Sequence, residues 1–264
     1  ARGCAAKGRP ADHPLIVHLA DVTHLAAWAQ QVPDYGRALA EAFWPGPLTL
    51  VVQRTSRAGD FLTGGQGTVA LRVPSHPAFR AVIGALGDLL DDRAVGIAAP
   101  SANRFGRVSP TTAAHVLDEL SAHLHDDDVL LDGGPSVVGV ESTIVDCTGP
   151  LPVVLRPGDV SEDEVASVTG LAVGGSSTVR APGTLASHYA PQARVSIVSP
   201  DGLAGRPTGD ATIGLLALAE VPTPDGFVRL SEPDSSADYA RVLYSALREA
   251  DALGLLEVLA VPPP

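Results

Sequence analysis

The sequence has few cysteines and no long apolar run, and both absences narrow its class. Its only cysteines, Cys4 and Cys147, are too few for a disulfide framework, and no Cys/His spacing typical of a zinc site occurs. No apolar run approaches the roughly 18 residues of a membrane span, and no secretory signal is recognisable at the start. We therefore expect a reduced, cytoplasmic protein that does not bind a membrane.

Familiar catalytic and cofactor motifs are missing as well. The sequence has no nucleophile elbow of a Ser-His-Asp hydrolase, no metal-binding helix, no Walker loop and no GxGxxG fingerprint of dinucleotide binding. An enzyme-bound covalent intermediate is therefore not indicated, and no metal held by protein ligands is identified. Catalysis by positioning of bound reactants is favoured instead.

The charge is strongly negative and unevenly distributed. The 264 residues carry a net charge of −12, which argues against broad nucleic-acid binding. Residues 1–110 hold 11 Lys+Arg against 8 Asp+Glu, whereas residues 111–264 hold 7 against 22. The cations thus concentrate in the part that carries the candidate motifs, although an acid-rich proteome in which arginine replaces lysine explains the asymmetry equally well.

Alternating strand-like and helix-like segments predict an α/β domain over residues 1–170. Residues 171–194 are rich in Gly, Ser and Pro and are predicted to form a linker, and residues 195–264 to form a smaller α/β domain. Strands are predicted at 14–19, 48–53, 68–74, 95–103, 128–134, 141–147, 151–158, 194–199, 211–219, 226–231 and 255–261. Helices are predicted at 76–90, at 111–124 with Thr111 as a cap, and at 236–254. A short helix is predicted at 161–170, with Ser161 as its N-cap, acids in its first turn and Gly170 at its end.

Cations near the start and within a strand suggest an anionic ligand. Lys7 and Arg9 flank a glycine just before an apolar run, and Arg72 lies inside the apolar stretch VALRVP. A buried arginine needs a carboxylate or phosphate partner, because an unpaired buried cation is unfavourable. The alternative for Arg72 is an edge strand on which its side chain faces water.

Two further segments carry small polar groups. In APSANRFGRVSPT, the side chains of Ser101, Asn103 and Ser109 suit phosphate or carboxylate oxygens, although a turn followed by a helix cap explains them too. The second segment, GVESTIVDCTGPLPVVLRPG, resembles a hairpin with polar ends, where Glu141 or Asp146 is a candidate general base.

Together these segments resemble the YrdC-like domain of threonylcarbamoyl-AMP synthases. The resemblance rests on six segments that occur in the family's order: KGRPADHPLIVHL, FWPGPLTLVV, VALRVPSHP, APSANRFGRVSPT, GVESTIVD and VLRPG. A later segment, APGTLASHYAP, resembles the linker of the two-domain form of these enzymes. The implied fold is α/β, with a YrdC-like twisted open sheet and helices followed by a smaller Rossmann-like α/β domain.

The resemblance implies a nucleotidyltransferase that makes threonylcarbamoyl-AMP and pyrophosphate from L-threonine, bicarbonate and ATP, with Mg²⁺. The product would pass to the machinery that transfers threonylcarbamoyl to tRNA, with weak or no direct binding of tRNA by this chain. Catalytic roles are implied for Lys7, Arg9, Ser101 and Asn103. ATP binding is implied for Arg9, His13, Thr68, Ser101, Ser109, Arg156 and Tyr189. Threonine binding is implied for His18, Arg72 and Ser142, and closure of a linker lid for His188 and Tyr189.

Alternatives to the synthase remain open from the sequence. A YrdC-like module that binds RNA or tRNA without catalysis is one, and a domain related to carbamoyltransferases is another. The family pattern has a strand and a threonine-binding loop upstream of the Lys7–Arg9 motif, so the sequence is interpreted as truncated at its N-terminus.

Overall fold

The computed structural model describes residues 7–8, 13–183, 189–203 and 212–264. The chain forms two compact units, the first from Ala1–Ser101 with Glu141–Ala186 and the second from Ala102–Val140 with Ser187–Pro264. Residues 102–140 thus cluster with the C-terminal part of the chain, and the domain boundaries predicted from the sequence stay a prediction. Arg9 and His188 lie outside the described residues.

The strands and helices alternate along most of the chain. The strands are β1 (Ile16–Leu19), β2 (Ala29–Gln31), β3 (Leu48–Arg54), β4 (Thr68–Arg72), β5 (Gly96–Ala98), β6 (Thr143–Asp146), β7 (Val153–Arg156), β8 (Arg194–Ile197), β9 (Ile213–Leu216), β10 (Val228–Ser231) and β11 (Glu257–Ala260). The α-helices are α1 (Leu25–Trp28), α2 (Asp34–Phe43), α3 (Asp60–Thr63), α4 (Pro77–Leu90), α5 (Ala113–Leu120), α6 (Glu162–Thr169) and α7 (Ser236–Ala252).

In the first unit, the described strands form one mixed sheet in the order β5-β1-β4-β3-β6-β7, with β2 also paired to β3. Strands β1 and β4 are parallel, as are β3 and β6, whereas β5–β1, β4–β3 and β6–β7 are antiparallel. The predicted hairpin is confirmed, since β6 and β7 pair with Ile144 opposite Arg156. The register decides which side chains share a face of this sheet.

Different sets of side chains pack against the two faces of this sheet. On one face Leu50 and Leu71 pack with Leu39 of α2 in the main core, where each side chain contributes about 1.5–3 kcal/mol on burial. On the other face a smaller apolar cluster combines Ile16, Val51, Ala70 and Ile144 with Ala181 from beyond the last strand. This second face also carries the polar side chains described below.

Local sequence accounts for several helix ends. Ser161 and Glu164 form a reciprocal capping box at the start of α6, and Gly170 ends the helix with φ +65°, as the sequence predicts. The cap of α5 is Thr112 rather than the predicted Thr111, because it is the Thr112 hydroxyl that accepts a hydrogen bond from the His115 amide.

The predicted strand over residues 128–134 is wrong, because these residues form no regular structure and all of them are exposed. Their apolar side chains satisfy a strand pattern, but a strand needs a neighbouring strand, and none pairs with them among the described residues.

The described strands of the second unit form a parallel sheet in the order β10-β9-β11-β8. Helix α7 packs on one face through Tyr239, Leu247 and Ala250, while Leu215 and Leu259 pack in a cluster of their own. The smaller Rossmann-like α/β domain predicted from the sequence is confirmed. Along the described ranges, no helix combines the length and apolar character that a bilayer crossing requires.

Candidate functional site

Polar side chains gather at one end of the second face of the first unit's sheet. His18 and Arg72 are register partners near the ends of the parallel strands β1 and β4, and Thr49 lies near the start of β3, which runs opposite to β4. Ser142 precedes β6, and Arg156 ends β7. We call these five residues the polar end. Alternation along the strands puts them on the face that also carries Ile16, Val51, Ala70 and Ile144.

Arg72 occupies an interior strand, because β4 lies between β1 and β3. The edge-strand alternative is therefore wrong. Its guanidinium is half-buried and donates from Nε to the carbonyl of Gly46 over 2.9 Å, while the Gly46 amide donates to Val73. A side chain at Gly46 would meet the Phe43 carbonyl at 2.2 Å, so this close approach requires glycine. Burial lowers the pKa of Arg72, Glu141 opposes that shift and Arg156 adds to it, but the group stays a cation.

His18 lies beside Arg72 as a buried neutral imidazole. Burial, with a smaller contribution from the Arg72 charge, lowers the pKa of His18 from 6.5 to about 4, against a raising effect of the Ile97 carbonyl. The His18 ring nitrogen Nδ1 is 3.2 Å from that carbonyl oxygen, which only accepts hydrogen bonds, so Nδ1 carries the proton. The other nitrogen, Nε2, is then an acceptor at neutral pH.

We expect the lowered pKa of His18 to make stability depend on pH. The unfolded chain takes up a proton near pH 6.5 and the folded chain near pH 4, so this contribution is full above pH 6.5 and is lost as the pH falls towards 4. Between pH 7 and pH 4.5 the loss amounts to about 2 kcal/mol. Between pH 7 and pH 4.5, the free energy of unfolding of His18→Asn should therefore fall by about 2 kcal/mol less than that of the parent chain. Urea denaturation at both pH values measures the difference.

An exposed histidine supplies the control for this measurement. His123→Asn removes an exposed histidine by the same substitution and is measured alongside as the control. Equal pH dependence in the parent chain and in His18→Asn would contradict the neutral state assigned to His18.

Arg156 holds the polar end together. It donates from Nε and Nη2 to the Ser142 carbonyl over 3.1 and 2.7 Å, from Nη2 to the Ser142 hydroxyl over 2.9 Å, and from Nη1 to the Pro182 carbonyl over 3.1 Å. The Glu141 carboxylate is 3.7 Å from Nη2. Gly158 packs so closely that a side chain there would lie 2.3 Å from the Glu141 carbonyl. The predicted ATP ligand Arg156 therefore lies among the predicted threonine ligands and fixes the loop of Ser142.

Thr49 is a member of the polar end that sequence reasoning missed. Its buried hydroxyl is 2.8 Å from the Ser142 hydroxyl, so the two groups share a hydrogen bond. The sequence could have indicated Thr49, because it is the one polar residue in the apolar run LTLVV. Strand alternation places it on the face opposite to that of Leu48 and Leu50.

A second group of predicted residues lies at the other end of the sheet. Strand β5 runs against β1, so Ser101 follows it towards the side where β1 begins, and there the Lys7 ammonium donates to the Ser101 carbonyl. Thr68 begins β4 at this same end, about 13 Å along the strand from Arg72. Lys7 is buried, and it is the only lysine in the sequence. His13 is half-buried, just before β1.

The segment after α6 crosses this face of the sheet. The Gln66 side chain accepts from the Arg180 amide over 2.7 Å and donates to the Arg180 carbonyl over 3.0 Å, while Ala181 packs on the apolar cluster. The Ser177 hydroxyl donates to Asp146, which also accepts from Thr148. Asp146 is therefore a buried acceptor of hydrogen bonds that stabilise the fold. It also lies at the end of β6 that is farther from the polar end. Both facts disfavour Asp146 as a general base.

The remaining predicted residues, Asn103, Ser109 and Tyr189, belong to the second unit. The buried Asn103 amide donates to the carbonyls of Arg104 and Arg107, each over 2.8 Å, so it shapes its own loop. Ser109 is also buried. Tyr189 is half-buried, with its ring centroid 6.0 Å from that of Tyr244.

The described residues contain no group of three or more His, Cys, Asp or Glu side chains arranged to hold a metal ion. The side chains of this described part of the chain do not fit a resident metal centre, and we derive no chemical step from one.

Comparison with known protein families covers nearly the whole sequence. The Sua5/YciO/YrdC family, described as "Telomere recombination", matches residues 2–158. The family described as "Threonylcarbamoyl-AMP synthase, C-terminal domain" matches residues 158–263. The two matches follow the order of the two folds seen in the structure.

Individual relatives agree with these matches. A threonylcarbamoyl-AMP synthase of Pyrococcus abyssi is 37% identical and aligns over 97% of this chain and 76% of its own length. A threonylcarbamoyl-AMP synthase of Bacillus subtilis is 38% identical, and the alignment covers 73% of this chain and 55% of that protein. A crystal structure described as P. abyssi Sua5 complexed with L-threonine superimposes with a TM-score of 0.80 at 34% identity, covering 99% of this chain and 78% of that one. As its sequence motifs predict, this chain belongs to the threonylcarbamoyl-AMP synthase family of enzymes.

Proposed function

We propose that this chain condenses L-threonine, bicarbonate and ATP into L-threonylcarbamoyl-AMP and pyrophosphate. The observation that carries this proposal is the polar end, where a half-buried guanidinium and a neutral imidazole lie on one face near two buried hydroxyls. Such a set suits the carboxylate and polar groups of a small hydroxylated amino acid. The relative solved with L-threonine supports the same assignment.

We assign the threonine carboxylate to Arg72. Among the described contacts only its Nε donates to the protein, so Nη1 and Nη2 are placed to bind a carboxylate as a bidentate pair. His18 presents Nε2 as an acceptor for the amino or hydroxyl group of threonine. Because its pKa is about 4, His18 is too weak a base to take up a proton from the threonine ammonium at neutral pH. Its role is therefore to orient the substrate. Ser142 completes this set, held in place by Arg156.

The reaction needs two bond-forming steps. The neutral amine of threonine adds to the carbon of bicarbonate with loss of water, which gives a carbamate. A carbamate oxygen then attacks the α-phosphorus of ATP, and the bond to the β-phosphate breaks with pyrophosphate as leaving group. Positioning and cations that neutralise the phosphates accomplish most of such a transfer.

We propose phosphate-binding roles for Lys7, Arg9, His13, Thr68 and Ser101. For Asn103, Ser109 and Tyr189 as nucleotide ligands, and for His188 and Tyr189 as a lid, we propose the roles that the family resemblance implies. Lys7 supports this assignment as a buried cation fixed at the start of the Ser101–Asn103 segment. Mg²⁺ is expected to arrive on the phosphates of ATP as part of the substrate. The product is proposed to pass, in the cytoplasm, to the machinery that modifies tRNA.

Mass spectrometry tests this function directly. The chain is incubated with L-threonine, ¹³C-bicarbonate and ATP, and we expect pyrophosphate together with threonylcarbamoyl-AMP that carries the label. Omission of threonine should remove both products. Tight binding of tRNA with a steep salt dependence, but without nucleotide turnover, would contradict the proposal and favour an RNA-binding module.

Arg72→Lys is expected to raise the KM for threonine by about 10- to 100-fold, because a lysine cannot form the bidentate pair and a charge-assisted hydrogen bond contributes about 1.5–3 kcal/mol. The KM for ATP should change less than about twofold. Initial rates with each substrate varied in turn measure both constants. An equal rise in both would contradict a specific role of Arg72 in binding threonine.

A further inference from the structure

One side of helix α7 in the second unit carries three side chains whose hydrogen-bond and ring partners lie in loops or in helix α5. Tyr244, Arg248 and Asp251 are separated by four and three residues, so they follow one another along the same side of the helix. Their partners lie in two segments, residues 104–119 and residues 189–193. These segments include or adjoin residues to which the proposed function gives roles.

Arg248 fixes the first segment. Its Nη1 donates to the Val108 carbonyl over 2.8 Å and to the Glu119 carboxylate, and its Nη2 donates to the His115 carbonyl over 3.0 Å. The other oxygen of Glu119 accepts from the Arg104 amide over 2.7 Å. The Arg248–Glu119 pair is largely shielded from solvent, with side-chain exposures of 12% and 17%. The loop that carries Asn103 and Ser109 is therefore held on both sides of its turn.

Tyr244 and Asp251 fix the second segment. The Asp251 carboxylate accepts from the amides of Gln192 and Ala193 over 2.7 and 3.2 Å. The ring of Tyr244 contacts that of Tyr189, whose φ of +58° is uncommon for a residue with a bulky side chain and is maintained by such surroundings.

The two segments are also joined to each other. The amide of Ala190 donates to the carbonyl of Gly106 over 3.1 Å. Helix α7 therefore contacts both residues 189–193 and the loop that carries Asn103 and Ser109, all within one compact unit.

We propose that the C-terminal α/β domain positions the loop of Asn103 and Ser109 for ATP, and that Arg248 is the residue on which this positioning depends. The inference rests on the proposed function, because it takes those two residues as nucleotide ligands. Arg248 is a positioning residue, since it acts through the backbone of the loop. The C-terminal domain would then determine nucleotide affinity while leaving threonine affinity unchanged.

Three variants test the proposal. Arg248→Ala removes the anchor, and Arg248→Lys keeps a cation that can still reach some of the same acceptors. The matched control is Arg241→Ala, because Arg241 lies on the same helix, is about half exposed and pairs only with Asp238 among the described contacts. All three are compared with the parent chain.

The kinetic measurement separates positioning from general damage. For Arg248→Ala we expect the KM for ATP to rise between about 10- and 100-fold, as a misplaced binding group allows, with the KM for threonine within about twofold of the parent value. Arg248→Lys should recover part of the loss, and Arg241→Ala should match the parent chain. A parallel rise in both KM values would overturn the proposal.

Amide hydrogen exchange tests the same inference without turnover. In Arg248→Ala we expect faster exchange in residues 104–109, with β9 and β11 exchanging at their parent rates. Unchanged exchange in residues 104–109 would overturn the positioning role even where the chain is active. Absence of product from the parent chain would contradict the proposed function alone, since the exchange measurement does not depend on it.

Discussion

Lys7→Ala is expected to abolish pyrophosphate release, with a fall in kcat of at least about 100-fold. The Lys7 ammonium is fixed by the Ser101 carbonyl at the start of the segment that carries Asn103. It is a preorganised cation, and the α-phosphate gains charge on its oxygens as the carbamate attacks. Loss of such a cation removes stabilisation that is greatest in the transition state. A coupled assay for pyrophosphate measures the change.

Control variants distinguish this effect from general loss of charge. Arg37→Ala removes an exposed cation on α2, which packs against the other face of the sheet, and should keep parent activity. The free energy of unfolding of Lys7→Ala should fall by about 1.5–3 kcal/mol, the contribution of a charge-assisted hydrogen bond. Parent rates in Lys7→Ala would remove this residue from the proposed nucleotide site.

The single lysine adds a chemical test. Because Lys7 is the only lysine in the sequence, an amine-reactive reagent has one side-chain target, and peptide mapping distinguishes it from the terminal amine. ATP should protect Lys7 from acylation, whereas L-threonine alone should not. Equal labelling with and without ATP would contradict contact between this ammonium and the nucleotide.

Arg156→Met is expected to lower the free energy of unfolding by about 3 kcal/mol or more, because the change leaves buried acceptors without a donor. The guanidinium satisfies the Ser142 carbonyl, the Ser142 hydroxyl and the Pro182 carbonyl, and it lies 3.7 Å from Glu141. Chemical denaturation followed by tryptophan fluorescence measures the loss, since Trp28 and Trp44 are both buried in the same unit.

Arg37→Met is the matched control, because it makes the same substitution at an exposed site and should change stability by less than about 0.5 kcal/mol. Arg156→Met should also impair threonine binding, since Ser142 loses its anchor. If Arg156→Met were as stable as the parent chain, its contacts with Ser142 and Pro182 would not contribute to folding as described.

Local sequence signals predicted much of this fold. The strand at Thr68–Arg72 follows from its apolar run, and α6 follows from Ser161, the acids after it and Gly170. Helix α2 was missed because it contains Gly36, which weakens a helical pattern. Its glycine is explained only by tertiary packing, since a side chain there would come within 3.2 Å of Val32 and 3.5 Å of Cys147.

The grouping of the site residues depends on contacts that sequence does not carry. Neighbouring strands in space bring His18 to Arg72 and Thr49 to Ser142, over separations of 54 and 93 residues. Residue types alone indicated an anionic ligand, and the family resemblance supplied the roles. Neither showed that Arg156 lies with the threonine ligands.

The pairing of β3 with β6 has a consequence for how the chain folds during synthesis. Leu48 lies opposite Thr143, so the first unit closes only after some ninety later residues have left the ribosome. Until then the part of β3 that pairs with β6, Leu48–Val51, is unpaired on that edge and available to other chains. Slow, non-local strand pairing brings this hazard. Nascent protein should therefore rely on chaperones until Thr143–Arg156 emerges.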